Sequence, residues 1–337
     1  MQGAILKRQR IVPRLNNQAG LKPYYRGYCS VIMKKTGKLL RLVHNPTAGE
    51  GDYSKEKIIS LLESHGYRCA YSSSKNKLLK AIEPETEFIV IAGGDGTIRK
   101  TIMKLLNKKL KYKRPIALLP FGTANNIASS LNIPEDNTRN ISSWADYHLK
   151  KFDVGQVTGL QQTFYFIESF GFGIFPRLMK TLKKMDTGFV KTPEDEFELS
   201  LKELLNLSRT YHAVPFKMET DSGTIEDQAI LIEVMNISSL GPHLKLSRAA
   251  DPEDGFFDVV VVTEKDRSRL EKYISGKIGQ EKPLFSVKSI RTKHLKIDWL
   301  GKDVHADDEV LKVYEHPSLR ISLLDSLLEI VTPSEKA

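Results

Sequence analysis

The 337 residues predict an α/β domain with a parallel sheet, followed by a β-rich domain, with the active site in the cleft between them. Three observations carry this. Short apolar runs alternate with helical patterns through the first half, as a parallel sheet requires. Three of those runs end in loops rich in Gly, Thr and Asn. Beyond about residue 153 strand-like runs follow one another, many without a helix between them. The length fits two domains, each able to bury a core.

Residues 1–37 form a basic extension for which disorder is expected. Of the net charge of +10, the first 35 residues contribute +8 through Lys7, Arg8, Arg10, Arg14, Lys22, Arg26, Lys34 and Lys35, with no Asp or Glu. The remainder is close to neutral, which argues against a nucleic-acid partner. The extension has no apolar core and is not a secretory signal. A transit peptide, a polybasic tether, or an extension ahead of a start at Met33 all stay open.

The α/β domain spans 38–155. Leu39–His44 is its first strand, followed by a loop at 45–52 and a helix carrying Ile58, Ile59, Leu61 and Leu62 on one face, ended by Gly66. A strand at 67–71 and a short helix at 75–82 come next. The strand at 88–92 stops at Gly93-Gly94-Asp95-Gly96-Thr97 and leads into a helix through Leu106. The strand at 115–119 ends at Pro120-Phe121-Gly122-Thr123-Ala124-Asn125-Asn126, before a helix at 127–131. The β-rich domain spans 156–317, with strands at 163–170, 213–219, 228–235, 256–263 and 295–299 and helices at 175–185 and 194–208. The tail, 318–337, holds a last strand that can return to the first domain.

A strand that stops at glycines exposes backbone N–H groups, and the next helix points its positive end at the same place, so Gly93–Thr97 reads as a phosphate site. Asp95 would repel phosphate without an intervening cation, which suggests Mg²⁺. The two cysteines, Cys29 and Cys69, provide neither a disulfide framework nor a thiolate metal site, and suit a cytoplasmic protein. No apolar run approaches the ~18 residues needed to span a bilayer. P-loop, G-x-S-x-G and H-E-x-x-H patterns are absent. Two basic stretches, 176–185 and 104–114, are candidates for membrane contact, the first being amphipathic. His305 reads as an ordinary polar residue.

Asn45 to Gly49, Gly93 to Thr97, Pro120 to Asn126, the Asp153 segment, Asp251 to Asp258 and Asp307-Asp308-Glu309 together resemble the diacylglycerol kinase catalytic-domain family of lipid kinases. That family includes sphingosine kinases and is more distantly related to the NAD kinases, whose two-domain fold is implied here. The resemblance runs from about residue 38 to 329. It implies an ATP site made of Asn45, Pro46, Thr47, Ala48, Gly49, Gly93, Gly94, Asp95, Gly96, Thr97, Ile98, Arg99 and Thr123. It also implies a phosphate-linked Mg²⁺ near Asp95 and Asp153, and a structural Mg²⁺ on Asp254 with backbone oxygens of Asp251 and Phe256. Glu309 is implied as the base that accepts the proton of a lipid hydroxyl, with Asp95 as its catalytic partner at the phosphates.

Three positions depart from the family pattern. Asn126 stands where many members have Asp, Arg99-Lys100 replaces an Asn-Glu pair, and Asp308 replaces the glycine of Asp-Gly-Glu. Arg99 is expected either to fork onto phosphate or to lie in solvent. The expected activity is transfer of the γ-phosphoryl group of ATP to a diacylglycerol-like lipid, by a cytoplasmic protein that visits the membrane transiently. A homodimer is among the assemblies left open. The alternatives are a kinase of a soluble acceptor such as NAD and a catalytically silent nucleotide- or lipid-binding protein.

Overall fold

In the third strand alternate residues face two different cores, because both faces of a parallel sheet are covered by helices. Ile89 and Ile91 pack with Ile98, Ile102 and Ile127, whereas Phe88, Val90 and Ala92 pack with Ile58, Leu62 and Trp144. The computed structural model describes residues 37–45, 53–73, 82–107, 113–185, 192–313 and 317–334. Residues 1–36 of the extension, Pro46, Thr47, Ala48, Gly49, most of the helix expected at 75–82 and the centre of the basic stretch at 104–114 lie outside them.

The first part of the chain comprises β1 (Leu39–His44), α1 (Lys55–Ser64), β2 (Arg68–Ser73), β3 (Thr86–Gly93), α2 (Asp95–Asn107), β4 (Ile116–Pro120), α3 (Asn126–Ser130), α4 (Asn137–Ser143) and β5 (Tyr147–Thr158). Strands β2, β1, β3 and β4 are parallel in that order. Ser54 caps α1 by accepting from the Lys57 N–H, and Asp136 caps α4 through Arg139.

The second part holds β6 (Phe164–Phe166), β7 (Ser169–Gly173), α5 (Ile174–Leu182), α6 (Pro193–Thr210), β8 (Val214–Thr220), β9 (Gly223–Met235), β10 (Ser239–Leu240), β11 (Leu244–Lys245) and β12 (Phe257–Thr263). It continues with α7 (Arg267–Ile278), β13 (Ser289–Thr292), β14 (His294–Trp299), β15 (Val304–Ala306), β16 (Glu309–Val310) and β17 (Ser318–Pro333). The capping box of α6, with Thr192 and Asp195 each accepting the other's backbone N–H, fixes where that helix begins.

β17 ties the two parts together. It pairs antiparallel with β5 from Arg320↔Thr158 to Pro333↔Tyr147, also with β14 at one end, and parallel with β4 at Ile330. The ribbon bends where the register shifts between Leu324 and Leu328, around Ser326 with φ +51°. β5 runs unbroken through residues 155 and 156, so the covalent passage between the two halves is a strand rather than a linker.

Two local differences from the sequence expectation have physical causes. The strand expected at 163–170 is broken into β6 and β7, because the Asp307 carboxylate takes the N–H groups of Ile167, Glu168 and Ser169 away from the ladder. The helix α7 was not anticipated, although Leu270, Tyr273 and Ile274 carry its buried face at helical spacing.

Candidate active site

The turn after β3 and the turn after β4 pack backbone against backbone. A Cβ on Gly94 would lie 2.8 Å from the Gly122 Cα, and one on Gly122 would lie 2.4 Å from the Gly94 Cα, so only glycine fits at either position. Asp95 opens α2 and stitches the turns together, its carboxylate accepting from the backbone N–H groups of Asn126 (2.8 Å) and Ile127 (3.1 Å). Asn125, at φ +49°, closes the second loop by accepting from the Gly122 N–H and donating to the Gly122 carbonyl. Burial pushes the Asp95 pKa up, opposed by those N–H groups and by His243. Asn45 sits at the end of β1, its N–H on the Ala92 carbonyl, and Thr123 is exposed at the mouth of the site. Asn126 is buried and donates its amide to the Gly241 carbonyl of the β10–β11 hairpin.

Facing these turns from the second half is the β15–β16 hairpin with Asp307, Asp308 and Glu309. Asp307 is fully buried and takes an αL conformation; burial lifts its pKa to about 6, against the pull of three N–H groups and Arg99. Arg99 does not lie in solvent, which corrects that expectation for it. Its guanidinium sits 3.2 Å from Asp307 through Nε, 3.0 Å from Asp308 through Nη1 and 2.7 Å from Glu309 through Nη2. Burial works against its charge, but the carboxylates more than compensate and raise its pKa. Two of the three departures from the family pattern, Arg99 and Asp308, therefore meet each other across the cleft.

Asp153 does not join Asp95. Its carboxylate accepts from the Ser326 N–H (2.7 Å) and the Gly255 N–H (3.0 Å), its acidic neighbours are Asp254 and Asp325, and burial raises its pKa. It anchors the Asp251–Asp254 turn to the bend of β17.

The turn itself does not fit a structural Mg²⁺. One Asp254 oxygen accepts from the Phe256 N–H and the other is paired with Arg291 at 2.6 Å; the Asp251 carbonyl already accepts from the Asp254 N–H. Arg291 and Lys293 both stand over the Phe256 ring, at 4.4 and 4.8 Å, while Lys150 pairs with Asp251 and Glu253. Side-chain cations thus already pair with the Asp251 and Asp254 carboxylates. Without nucleotide, the melting temperature is expected to be the same in EDTA and in millimolar Mg²⁺; a fall of several degrees on chelation would restore the metal. Among the described residues, no three His, Cys, Asp or Glu side chains converge as a metal-binding set.

Between α5, α6 and the β10–β11 hairpin lies a cavity of about 420 Å³. Its walls are apolar, with Phe175, Leu178, Met179 and Leu182 from α5, Phe197 from α6 and Leu240 from the hairpin. Its floor is the cleft, with Asp95, Thr123, Asn126, Glu168, Asp307 and Asp308. The apolar face of α5 is therefore turned inward, with Ile174, Phe175 and Leu178 buried. Arg177 and Lys180 on its other side are paired with Asp303.

Comparison with known proteins now decides the family. Residues 39–157 match the diacylglycerol kinase catalytic domain, and residues 186–329 match the YegS C-terminal NAD kinase beta sandwich-like domain. The chain belongs to the diacylglycerol kinase catalytic-domain family. Diacylglycerol kinases of Staphylococcus aureus strain MRSA252 and Staphylococcus epidermidis strain RP62A are 25% and 26% identical to it over 242 residues, 69% of this chain and 73% of theirs. The crystal structure of a diacylglycerol kinase from Bacillus anthracis strain Sterne superposes with a TM-score of 0.68 at 21% identity, covering 90% of this chain and 99% of the other, and shows the same fold.

In this family member Glu168 and Asn236 take part in the site without having been singled out from the sequence. Asn236 donates its amide to the carbonyls of Asp153 and Ile167, joining the acidic turn to the strand break. Glu168 stands alone as an acid within the apolar run Tyr165–Phe172, and that was its one visible signal.

Proposed function

We propose that the protein is an ATP- and Mg²⁺-dependent lipid kinase that transfers the γ-phosphoryl group to the hydroxyl of a diacylglycerol-like or related lipid. One observation carries this reading: an apolar cavity opens directly onto the glycine turns, with the Asp307–Glu309 hairpin at the junction. Hydrocarbon and polyphosphate thereby find adjoining sites.

In this reading Mg-ATP enters as a substrate along Asn45–Gly49, Gly93–Thr97 and Thr123. Backbone N–H groups and the start of α2 receive the phosphates, and Asp95 faces the metal that accompanies them. Phosphoryl transfer asks the protein mainly for positioning and charge balance. The acceptor oxygen bonds to the γ-phosphorus, the bond to the bridging oxygen of ADP breaks, and the hydroxyl proton passes to Glu309. Arg99 holds Glu309 by Oε2 alone and leaves Oε1 without a partner among the described residues. Contact with a lipid surface follows from the acceptor's insolubility; among the described residues no helix is long and apolar enough to cross a membrane.

The test is transfer of labelled phosphate from ATP into a total lipid extract, with the product identified by mass. A phosphorylated lipid hydroxyl is expected. Equal or greater activity on a soluble acceptor, with no amphiphile present, would overturn the reading.

A further inference from the structure

Behind the hairpin that carries Glu309 lies a buried pair of titratable groups that the phosphoryl transfer itself does not touch. His305 and Glu233 are 3% and 0% exposed. Nε2 of His305 stands 2.9 Å from Glu233 Oε1, and Nδ1 stands 2.8 Å from the Asp307 carbonyl oxygen. Carboxylate and carbonyl oxygens only accept. One imidazole holds both of them only when each ring nitrogen carries hydrogen, which is the imidazolium form. The second Glu233 oxygen is buried without a hydrogen-bond partner among the described residues, so Glu233 relies on His305 for its counter-charge. Burial opposes the imidazolium, but the two acceptors prevail and raise its pKa.

The hairpin depends on this contact. β15 and β16 pair at His305↔Val310 and Ala306↔Glu309, leaving Asp307 and Asp308 as a two-residue turn. Asp307 takes φ +49° there, a conformation that strains a residue with a side chain, so the turn needs outside support. Three anchors converge on Asp307. Its N–H donates to the Ser169 carbonyl (2.9 Å), its carboxylate accepts from the N–H groups of Ile167, Glu168 and Ser169 and faces Arg99, and its carbonyl accepts from His305. The last of these fixes the peptide plane between Asp307 and Asp308, just ahead of Glu309. His305 therefore sets the direction in which the chain leaves the turn.

Removing one proton breaks that support at a particular place. The proton that remains stays on Nε2, where a charged acceptor makes the stronger hydrogen bond, and Nδ1 then presents a lone pair to a carbonyl oxygen. That contact is repulsive. Among the described residues no cation stands by to relieve it. β7 places Gly171 opposite His305 and β16 places Val310, Arg99 is held by the three hairpin carboxylates, and Arg177 and Lys180 of α5 are paired with Asp303. The Tyr165 hydroxyl of β6 accepts from Gln156, and the other titratable groups along the cavity that His305 lines are the acids Asp95, Glu168, Glu196, Asp307 and Asp308.

We infer that protonated His305 is a positioning residue for the phosphoryl transfer: it holds the Asp307 carbonyl so that the turn presents Glu309 to the acceptor hydroxyl, and loss of its proton withdraws the base. This rests on the lipid-kinase reading above for the role of Glu309, but not for the state of the imidazole. A carboxylate base acting alone gives a kcat that rises as the acid ionises and then stays level. With His305 in control, kcat falls again on the alkaline side.

The experiment follows kcat of the full-length protein from pH 6 to 9.5, at saturating Mg-ATP and saturating lipid acceptor in mixed micelles, the acceptor being the one identified in the lipid extract. Wild type is expected to lose about 10- to 100-fold above the His305 transition, the order of loss for a misplaced catalytic group. Glu233→Gln is expected to keep the falling limb but to move it about one pH unit or more lower, since the carboxylate that favours the imidazolium is gone. His305→Gln is expected to begin about 10- to 100-fold down in kcat, with an unchanged KM for Mg-ATP, and to show no falling limb. A pair that served stability alone would lower the melting temperature of both variants without moving the limb. Identical limbs in all three proteins, or none in wild type, would overturn the inference. A second measurement uses wild type alone, without substrate. Nitrogen-15 NMR of the eight histidines at pH 7.5 is expected to show one ring with both nitrogens protonated; the absence of such a ring overturns the inference whatever the kinetics. If the ring is found but no lipid is phosphorylated, the kinase reading falls, the positioning role falls with it, and the imidazolium stands. If lipid is phosphorylated with the same limb in all three proteins, the inference falls and the kinase reading stands.

Discussion

Glu309→Gln is expected to lower kcat by about 10²- to 10⁴-fold while leaving Mg-ATP binding intact. The side chain is half-exposed at the edge of the cleft, held through one oxygen by Arg99. Glutamine keeps the size and one accepting oxygen, but it cannot take up a proton as phosphorus approaches the acceptor hydroxyl. Asp95→Ala differs in kind. It removes the acceptor of the Asn126 and Ile127 N–H groups, and with it the tie between the two glycine turns, so turnover and Mg-ATP binding are expected to fall together. Single-turnover rates alongside nucleotide titration by calorimetry separate the two. Normal turnover in Glu309→Gln would move the base to a different group, with Asp308 the nearest.

His305→Ala is expected to cost about 3–5 kcal/mol of stability, the usual penalty for stripping one partner from a buried ion pair. His305 is not the ordinary polar residue that its sequence context suggests. On β15 it lies opposite Gly171 of β7, which lies opposite Glu233 of β9. Because Gly171 has no side chain, Nε2 of His305 reaches Glu233 Oε1 at 2.9 Å across the intervening strand, while Nδ1 contacts the Asp307 carbonyl at 2.8 Å. A Cβ on Gly171 would lie 2.0 Å from that same Glu233 oxygen.

Burial works against the imidazolium, but the Glu233 carboxylate prevails and raises the His305 pKa above its ordinary value of 6.5. The stability this pair contributes is thus complete below pH 6.5 and is lost as pH rises through the elevated native pKa. Asp307 acts in the same direction at lower pH, since a native value of about 6 against an ordinary 3.8 means stability declines as pH rises between them. Urea unfolding of wild type and His305→Gln from pH 6 to 9 checks this. The wild-type stability should fall with pH and the variant's should be flatter; parallel curves would mean the imidazole is neutral in the native state.

What was legible in the sequence is what is local. The strands ending at Gly93 and Pro120, and the turns after them, sit within a few residues of their own determinants, so pattern and turn chemistry sufficed. The contacts that stayed hidden join residues far apart in the chain. Arg99 meets Asp308 209 positions away, and Asp153 meets Gly255 and Ser326 102 and 173 positions away, through pairings that no window of sequence contains. His305 resembles any lone histidine until strand order sets it across from Glu233. The partners of the acidic turn at Asp251–Asp254 were hidden for a related reason, since its neutralising cations, Arg291 and Lys150, arrive from β13 and β5.

The contact between Arg99 and Asp308 constrains how this lineage can change. Asp308 without the arginine would place an additional negative charge beside Asp307 and Glu309, and the arginine with glycine at 308 would have one carboxylate fewer to hold its fork. Each unusual residue offsets the charge of the other, so a change at one position is expected to be milder when the other changes with it. Judged one at a time, either position would mark the chain as a decayed relative; judged together, they describe an exchange of equal and opposite charges between two halves of one cleft.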